Sequence, residues 1–254
     1  LHIDVDDYDF GNEGFKQLIV WNPEAEEIVG GYRYLDCSIL KIDENGQVHT
    51  PTAKLFHYSP LFIRDYLPYT IELGRSFVQP AYQPSKNLRK GMYSLDNLWD
   101  GLGALAVEYP DARYFFGKVT MYGHFDSVAR DYILYFFNLY FPDHEKLVTP
   151  HIPLVYKTAL SELSAVFKGD NYESVYKHLI QLVRTQNENI PPLFNAYMNL
   201  SSTMRTFGTA LNASFGEVEE TGIMVTIADI FMAKKDRYIH SYVKGEMPKH
   251  QHDY

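Results

Sequence analysis

Glu72 and Arg75 are the residues of this chain best typed and spaced for chemistry. They stand in T-I-E-L-G-R-S-F-V (Thr70 to Val78), where Ile71, Phe77 and Val78 are strand formers and Pro80 ends the run. A lone carboxylate in a partly dry cleft can act as a general base, taking a proton directly or through water. A guanidinium binds a carboxylate bidentately, so Arg75 either holds an acceptor's carboxylate or makes a structural ion pair. Three apart on a regular strand, the two side chains face opposite sides and do not pair locally. Both can serve one cleft only if the strand kinks between them. Downstream, Lys86, Arg89, Lys90 and Gly91 read as a basic loop before a helix expected from Leu95 to Glu108. Asp96 would cap that helix, with Leu98, Trp99, Leu102 and Leu105 on one face. Such a loop is either solvated or, with the free N–H groups and dipole of the helix, an anion site. A strand carboxylate beside an anion site suggests group transfer from a phosphate-bearing donor.

The elements that must position these residues alternate between strand and helix, which argues for an α/β fold with a mixed sheet. Phe15 to Trp21 and Glu27 to Leu35 read as a hairpin around a turn at Asn22 to Glu26. A short hairpin over Glu44-Asn45-Gly46 is expected within Ile39 to Lys54, and a helix from Ser59 to Tyr66 with Pro60 in its first turn. Tyr114 to Tyr122 is a strongly apolar strand, and Asp126 to Phe141 a helix ended by Pro142. Lys157 to Phe167 and Tyr172 to Gln186 read as amphipathic helices, the second opened by a capping box at Asp170 and Glu173. Pro191-Pro192 opens a helix to about Leu200, and Glu220 to Asp229 is a last central strand.

Composition narrows the function. The 254 residues carry a net charge of −9, which argues against general nucleic-acid binding. Aromatic residues make up 15%, including 21 Tyr and 16 Phe, and read first as core material. The single Cys37 excludes an internal disulfide and a CxxC zinc site. His250 and His252 alone do not make a metal site. There is no G-x-S-x-G nucleophile elbow and no Walker loop. An H-x4-D pattern occurs only at His2 and Asp7, in an acidic terminal segment. No signal peptide and no apolar run of about 18 residues is present; the longest candidate, Tyr132 to Phe141, is broken by Asn138 and reads as a buried helix. A cytoplasmic protein is expected, with peripheral contact at the inner face of the membrane as an option.

Several linked pieces resemble the bacterial N-acyltransferases that begin ornithine- and glycine-lipid synthesis, relatives of the GNAT acetyltransferases often labelled hemolysin-like. They are L-I-V-W with G-G-Y-R-Y (Leu18 to Tyr34), E-L-G-R-S-F-V, L-D-N-L-W-D-G-L, Y-F-F-G-K-V-T-M and I-P-P-L-F-N-A-Y (Ile190 to Tyr197), spanning roughly Tyr8 to Ile230. The resemblance implies a single GNAT-like domain over residues 1–254, a mixed sheet flanked by helices with a helical insertion at about 153–189. It also implies that the family's N-terminal strand and helices are missing, so that the chain is a fragment. The implied reaction moves a (3-hydroxy) fatty acyl group from acyl carrier protein to the amine of glycine or ornithine. The chain lacks the Gly-rich loop of acetyl-CoA-using GNATs, so the co-substrate implied is an acyl-phosphopantetheine thioester on the carrier, with CoA as the alternative and no separate cofactor. Glu72 would be the base and Arg75 the acceptor clamp. Tyr122 and Tyr132, near which Tyr135 also lies, would be proton donors to the departing thiolate. Phe77, Val78, Gln83, Lys86, Asn87, Arg89, Lys90 and Gly91 would bind the donor. An acyl-homoserine-lactone-type synthase, which shares an E-x-x-R strand, and a non-enzymatic membrane-active protein are the alternatives.

Overall fold

Six strands form the central sheet in the order β1-β2-β4-β5-β8-β7: β1 (Lys16–Asn22), β2 (Glu27–Asp36), β4 (Thr70–Val78), β5 (Tyr114–Met121), β7 (Arg205–Asn212) and β8 (Val218–Thr226). The computed structural model describes residues 14–83, 88–169 and 171–244, with backbone alone for 88–95. Only β4 and β5 run parallel; every other neighbouring pair is antiparallel. A parallel pair needs a crossover, and α1 (Leu88–Glu108) supplies it. Two three-residue strands, β3 (Phe56–Tyr58) and β6 (Val148–Pro150), pair as a separate ribbon. The remaining helices are α2 (Ser127–Tyr140), α3 (Leu160–Val166), α4 (Tyr172–Thr185), α5 (Pro192–Met198) and α6 (Met232–Tyr238).

Alternation along the strands divides the core between the two faces of the sheet. Ile71, Leu73, Phe115, Val119, Met121 and Ile223 meet the helices on one face, through Leu98 and Trp99 of α1, Phe136 and Phe137 of α2, Leu179 of α4 and Phe194 of α5. Leu35, Phe116, Phe207 and Met224 meet Phe56, Tyr58, Phe62 and Leu147 on the other. There Phe62 lies 5.0 Å from Tyr58 and 5.5 Å from Phe116, centre to centre, both edge-on. Burying each such ring stabilises the fold by about 1.5–3 kcal/mol. The abundant aromatics are therefore largely core, as expected. The apolar run at Tyr132 is α2, with Ile133, Leu134, Phe136 and Phe137 buried. No helix among the described residues is long and apolar enough to cross a membrane.

Several expected elements differ in form. The helix expected from Leu95 begins at Leu88, so Asp96 is interior and does not cap; its carboxylate accepts from Tyr238 Oη at 2.6 Å. At α4 the cap is Asn171, whose side chain accepts from Ser174 N, while Asp170 lies outside the described residues. Helix α3 starts later than Lys157, because Asp131 Oδ2 accepts the backbone N–H groups of Lys157 and Thr158. The hairpin expected over Glu44-Asn45-Gly46 is only a turn, closed by Asp43 N to Gln47 O and Gly46 N to Asp43 O. The helix expected to Tyr66 contains a π turn at Phe62–Tyr66. Strand β7 was not expected: Gly208, at φ 81°, breaks its alternation where its register with β8 shifts.

Candidate functional site

The site lies where the sheet forks. Strands β4 and β5 pair from Thr70 opposite Tyr114 to Leu73 opposite Gly117. Beyond that point β4 stays with β2 as far as Val78, and β5 stays with β8 as far as Met121. Across β2, Gly31 faces Phe77 and Arg33 faces Gly74, so Arg75 and Ser76 together oppose Tyr32. This is a β-bulge on β4, with Arg75 left-handed at φ 48°. A non-glycine residue in that conformation stores about 1–3 kcal/mol of strain. A bulge bends its strand and sharpens its twist, and this one sits where β4 leaves β5.

A cavity of about 970 Å³ fills the fork. It reaches both faces, lined by Leu98, Pro191 and Leu193 on the helical side and by Thr52, Leu55, Asn212 and Phe215 on the other. Glu72 and Arg75 both line it, so the kink that their spacing required is present. Glu72 is 4% exposed. Its Oε1 accepts from Thr52 Oγ1 at 2.6 Å, and its Oε2 has no hydrogen-bond partner among the described residues. Burial holds its carboxyl above the usual carboxylate range, opposed by the Thr52 hydroxyl and the charge of Lys118. A carboxylate so placed is a stronger base than one in water. Arg75 is exposed, as an entry-side clamp must be.

The other expected residues divide. Phe77, Val78 and Tyr122 line the cavity, and Tyr122 stacks on His124 with ring centres 5.9 Å apart. Tyr132 does not line it: on α2 it packs edge-on against Phe167 at 6.1 Å and borders a separate, smaller cavity beside Lys157 and Thr158. Tyr135 also packs on Phe167. Gln83 does not line the main cavity either; its Nε2 donates to Val78 O at 2.9 Å and closes the turn after β4. Lys86 and Asn87 lie outside the described residues. Arg89, Lys90 and Gly91 fall in the first turn of α1, not in a loop.

Sequence reading missed three participants. Lys118 lies 2.8 Å from Glu220 through Nζ and Oε2, and both side chains are nearly buried. Thr52 arrives from the segment before β3. The signal for Lys118 was a charge inside the apolar run Y-F-F-G-K-V-T-M, since buried lysines are almost always paired. Thr52 carried no such signal.

Comparison with known proteins gives the family. Residues 1–91 match the family described as acetyltransferase (GNAT) domain. A protein of Bacteroides thetaiotaomicron named glycine N(alpha)-acyltransferase is 52% identical over 245 residues, covering 96% of this chain and 73% of its own. One of the same name from Phocaeicola vulgatus is 52% identical over 242 residues, covering 95% and 74%. A solved aminoglycoside 6'-N-acetyltransferase complexed with coenzyme A overlaps 85% of this chain and 74% of its own, at 10% identity and a TM-score of 0.35, too distant for residue-level comparison.

Proposed function

We propose that this chain, which belongs to the GNAT-related bacterial N-acyltransferases, moves an acyl group from a thioester to the amine of glycine. Membership in an enzyme family overturns the non-enzymatic membrane-active alternative. The observation that carries the reading is the bulge: it sets a buried carboxylate and an exposed guanidinium on one cavity at the fork. Arg75 holds the glycine carboxylate. Glu72 takes a proton from the glycine ammonium through its unpartnered Oε2, and the neutral amine attacks the thioester carbonyl. The C–N bond forms, the C–S bond breaks, the thiolate leaves with a proton from Tyr122, and the tyrosinate recovers it from the second proton shed by the new amide nitrogen. Among the described residues that line the cavity, Arg33, Lys54, Arg75 and Lys118 are cationic and Glu72 and Glu220 acidic. That balance suits a carboxylate with one ammonium and disfavours the second ammonium of ornithine.

For the donor the reading is an acyl-phosphopantetheine carried by acyl carrier protein, with CoA as the alternative. The start of α1, where Arg89 and Lys90 stand, would receive the phosphate. A fatty acyl group would make the product an amphiphile, fitting the first step of glycine-lipid synthesis and peripheral contact with the cytoplasmic face of the membrane.

The test is an acyl-transfer assay with acyl carrier protein bearing a 3-hydroxy fatty acid, comparing glycine with methylamine and ornithine with putrescine. Glycine should be acylated far faster than methylamine, and ornithine more slowly than glycine. Arg75→Lys, which keeps the charge but loses the fork, should raise KM for glycine more than for the donor. Equal turnover of glycine and methylamine would show that no carboxylate is read and would remove Arg75 from the site.

A further inference from the structure

Strand alternation puts three charged side chains on one face of the sheet beside the fork. Glu72 faces Phe116 across β5, Lys118 stands two residues further along, and Lys118 in turn faces Gly222 of β8, two residues from Glu220. The lysine therefore lies between two carboxylates and is ion-paired with one. Its Nζ is 2.8 Å from Glu220 Oε2 and donates to Pro51 O at 3.2 Å. Asn212 Nδ2 braces Glu220 by donating to its Oε1 at 3.3 Å. Glu72 keeps one oxygen on Thr52 and the other unpartnered among the described residues, although it is buried.

An unpartnered buried carboxylate oxygen is costly, and an ammonium within reach would normally take it. We infer that Glu220 and Lys118 are positioning residues for Glu72: Glu220 holds the lysine to itself and so leaves Glu72 Oε2 open for the N–H of the acceptor. Were Lys118 bonded to Glu72, that oxygen would be occupied and the carboxylate would be a weaker base. Held at Glu220, the lysine acts on Glu72 only through its field. The other groups facing Glu72 do not duplicate this. Cys37 after β2 and Tyr58 on β3 are held well above their usual ranges by burial and the nearby Glu72 charge, and stay neutral. Arg33 of β2, Lys54 before β3 and Arg75 of β4 add positive charge around the same cavity.

Two readouts test the pair, one resting on the glycine reading and one independent of it. The first is the acid limb of kcat/KM for glycine, which reports the free enzyme's base. The second is the titration of the Glu72 carboxyl in the resting protein, followed by 13C NMR of labelled glutamate and assigned with Glu72→Gln. In Glu220→Gln the lysine is released toward Glu72, so limb and titration should both move down by about one pH unit. In Lys118→Met the stabilising charge is gone, so both should move up by a similar amount, on the order of one unit. Lys118→Arg should stay near wild type, and the double variant Lys118→Met/Glu220→Gln should fall between the two single ones. Limbs and titrations that stay still, or move the same way in both single variants, would overturn the inference. Opposite titration shifts in an enzyme that does not acylate glycine would uphold the pair and remove the substrate assignment instead.

Discussion

On the helical face of the central sheet, Ile71, Leu73, Phe115 and Val119 meet Phe136, Phe137 and Phe194, and the buried charges of Arg130 and Asp131 are paired with each other and with Glu219. On the opposite face, the same strands present Glu72 and Lys118, and β8 presents Glu220, beside an aromatic cluster around Phe62 and Phe116. Both faces are buried, so burial alone does not mark the site. The contrast lies in how polar groups are kept. On the helical face Arg130 is satisfied by Asp131 at 2.6 Å and Glu219 at 2.7 Å, whereas on the other Glu72 has one oxygen without a partner among the described residues. Two-residue alternation thus sorts the fully paired charges from the open carboxylate, and the cavity at the fork connects the two sides.

The hardest break of that contrast is Glu72→Gln. It keeps shape and removes the proton acceptor, so kcat should fall roughly 10²–10⁴-fold with donor binding little changed. Stability should move the opposite way. The folded carboxyl titrates above its usual value, so between that value and the folded one the native state holds more protons than the unfolded state. Stability then falls as pH rises through this window. The glutamine variant should lose that slope, which urea melts at several pH values would read. Activity within about threefold of wild type would remove Glu72 as the base.

The helical face should answer in the other currency. Phe136 is fully buried, with ring centres 4.7 Å from Tyr140 and 5.6 Å from Tyr172. Phe136→Ala should lower stability by about 3–5 kcal/mol. In a chain of this size that lowers Tm by roughly 10 °C. Turnover per folded molecule should stay near wild type. A variant that is stable yet inactive would show that the two faces are not separate in their roles.

The smallest effect sharpens the comparison at the fork itself. Arg75→Gly relieves the left-handed strain and should gain up to about 1 kcal/mol in stability, while raising KM for the acceptor. A stability loss with unchanged KM would mean that Arg75 serves the fold and not the ligand.

The sequence disclosed the hairpin of β1 and β2, the Glu72 strand, β5 and α2, because each is a run of strand or helix formers bounded by clear turn signals. It hid β7, where Gly208 breaks the alternation, and the start of α1, where Leu88-Arg-Lys-Gly contains a glycine and two charges that read as loop. Glu72 was legible as a lone carboxylate in an apolar strand. Arg75 was legible only as a condition, since spacing required a kink that no residue type announced. Glu220, Lys118 and Thr52 were not legible as a group. They come from β8, β5 and the segment before β3, and only sheet order brings them together. Tyr132 shows the converse: its place beside an apparently relevant segment gave no sign that it faces Phe167.

The bulge at Arg75 also fixes what this chain can tolerate in its length. Most exposed turns, such as the one at Asp43 to Gln47, can gain or lose residues with only a small change in loop entropy. At Arg75 and Ser76 an insertion or deletion resets the phase of everything downstream on the strand, and a slip of one residue exchanges the sides on which Phe77 and Val78 stand. The letters here can drift by substitution, but descendants of this sequence should keep the count from Glu72 to Val78 unchanged.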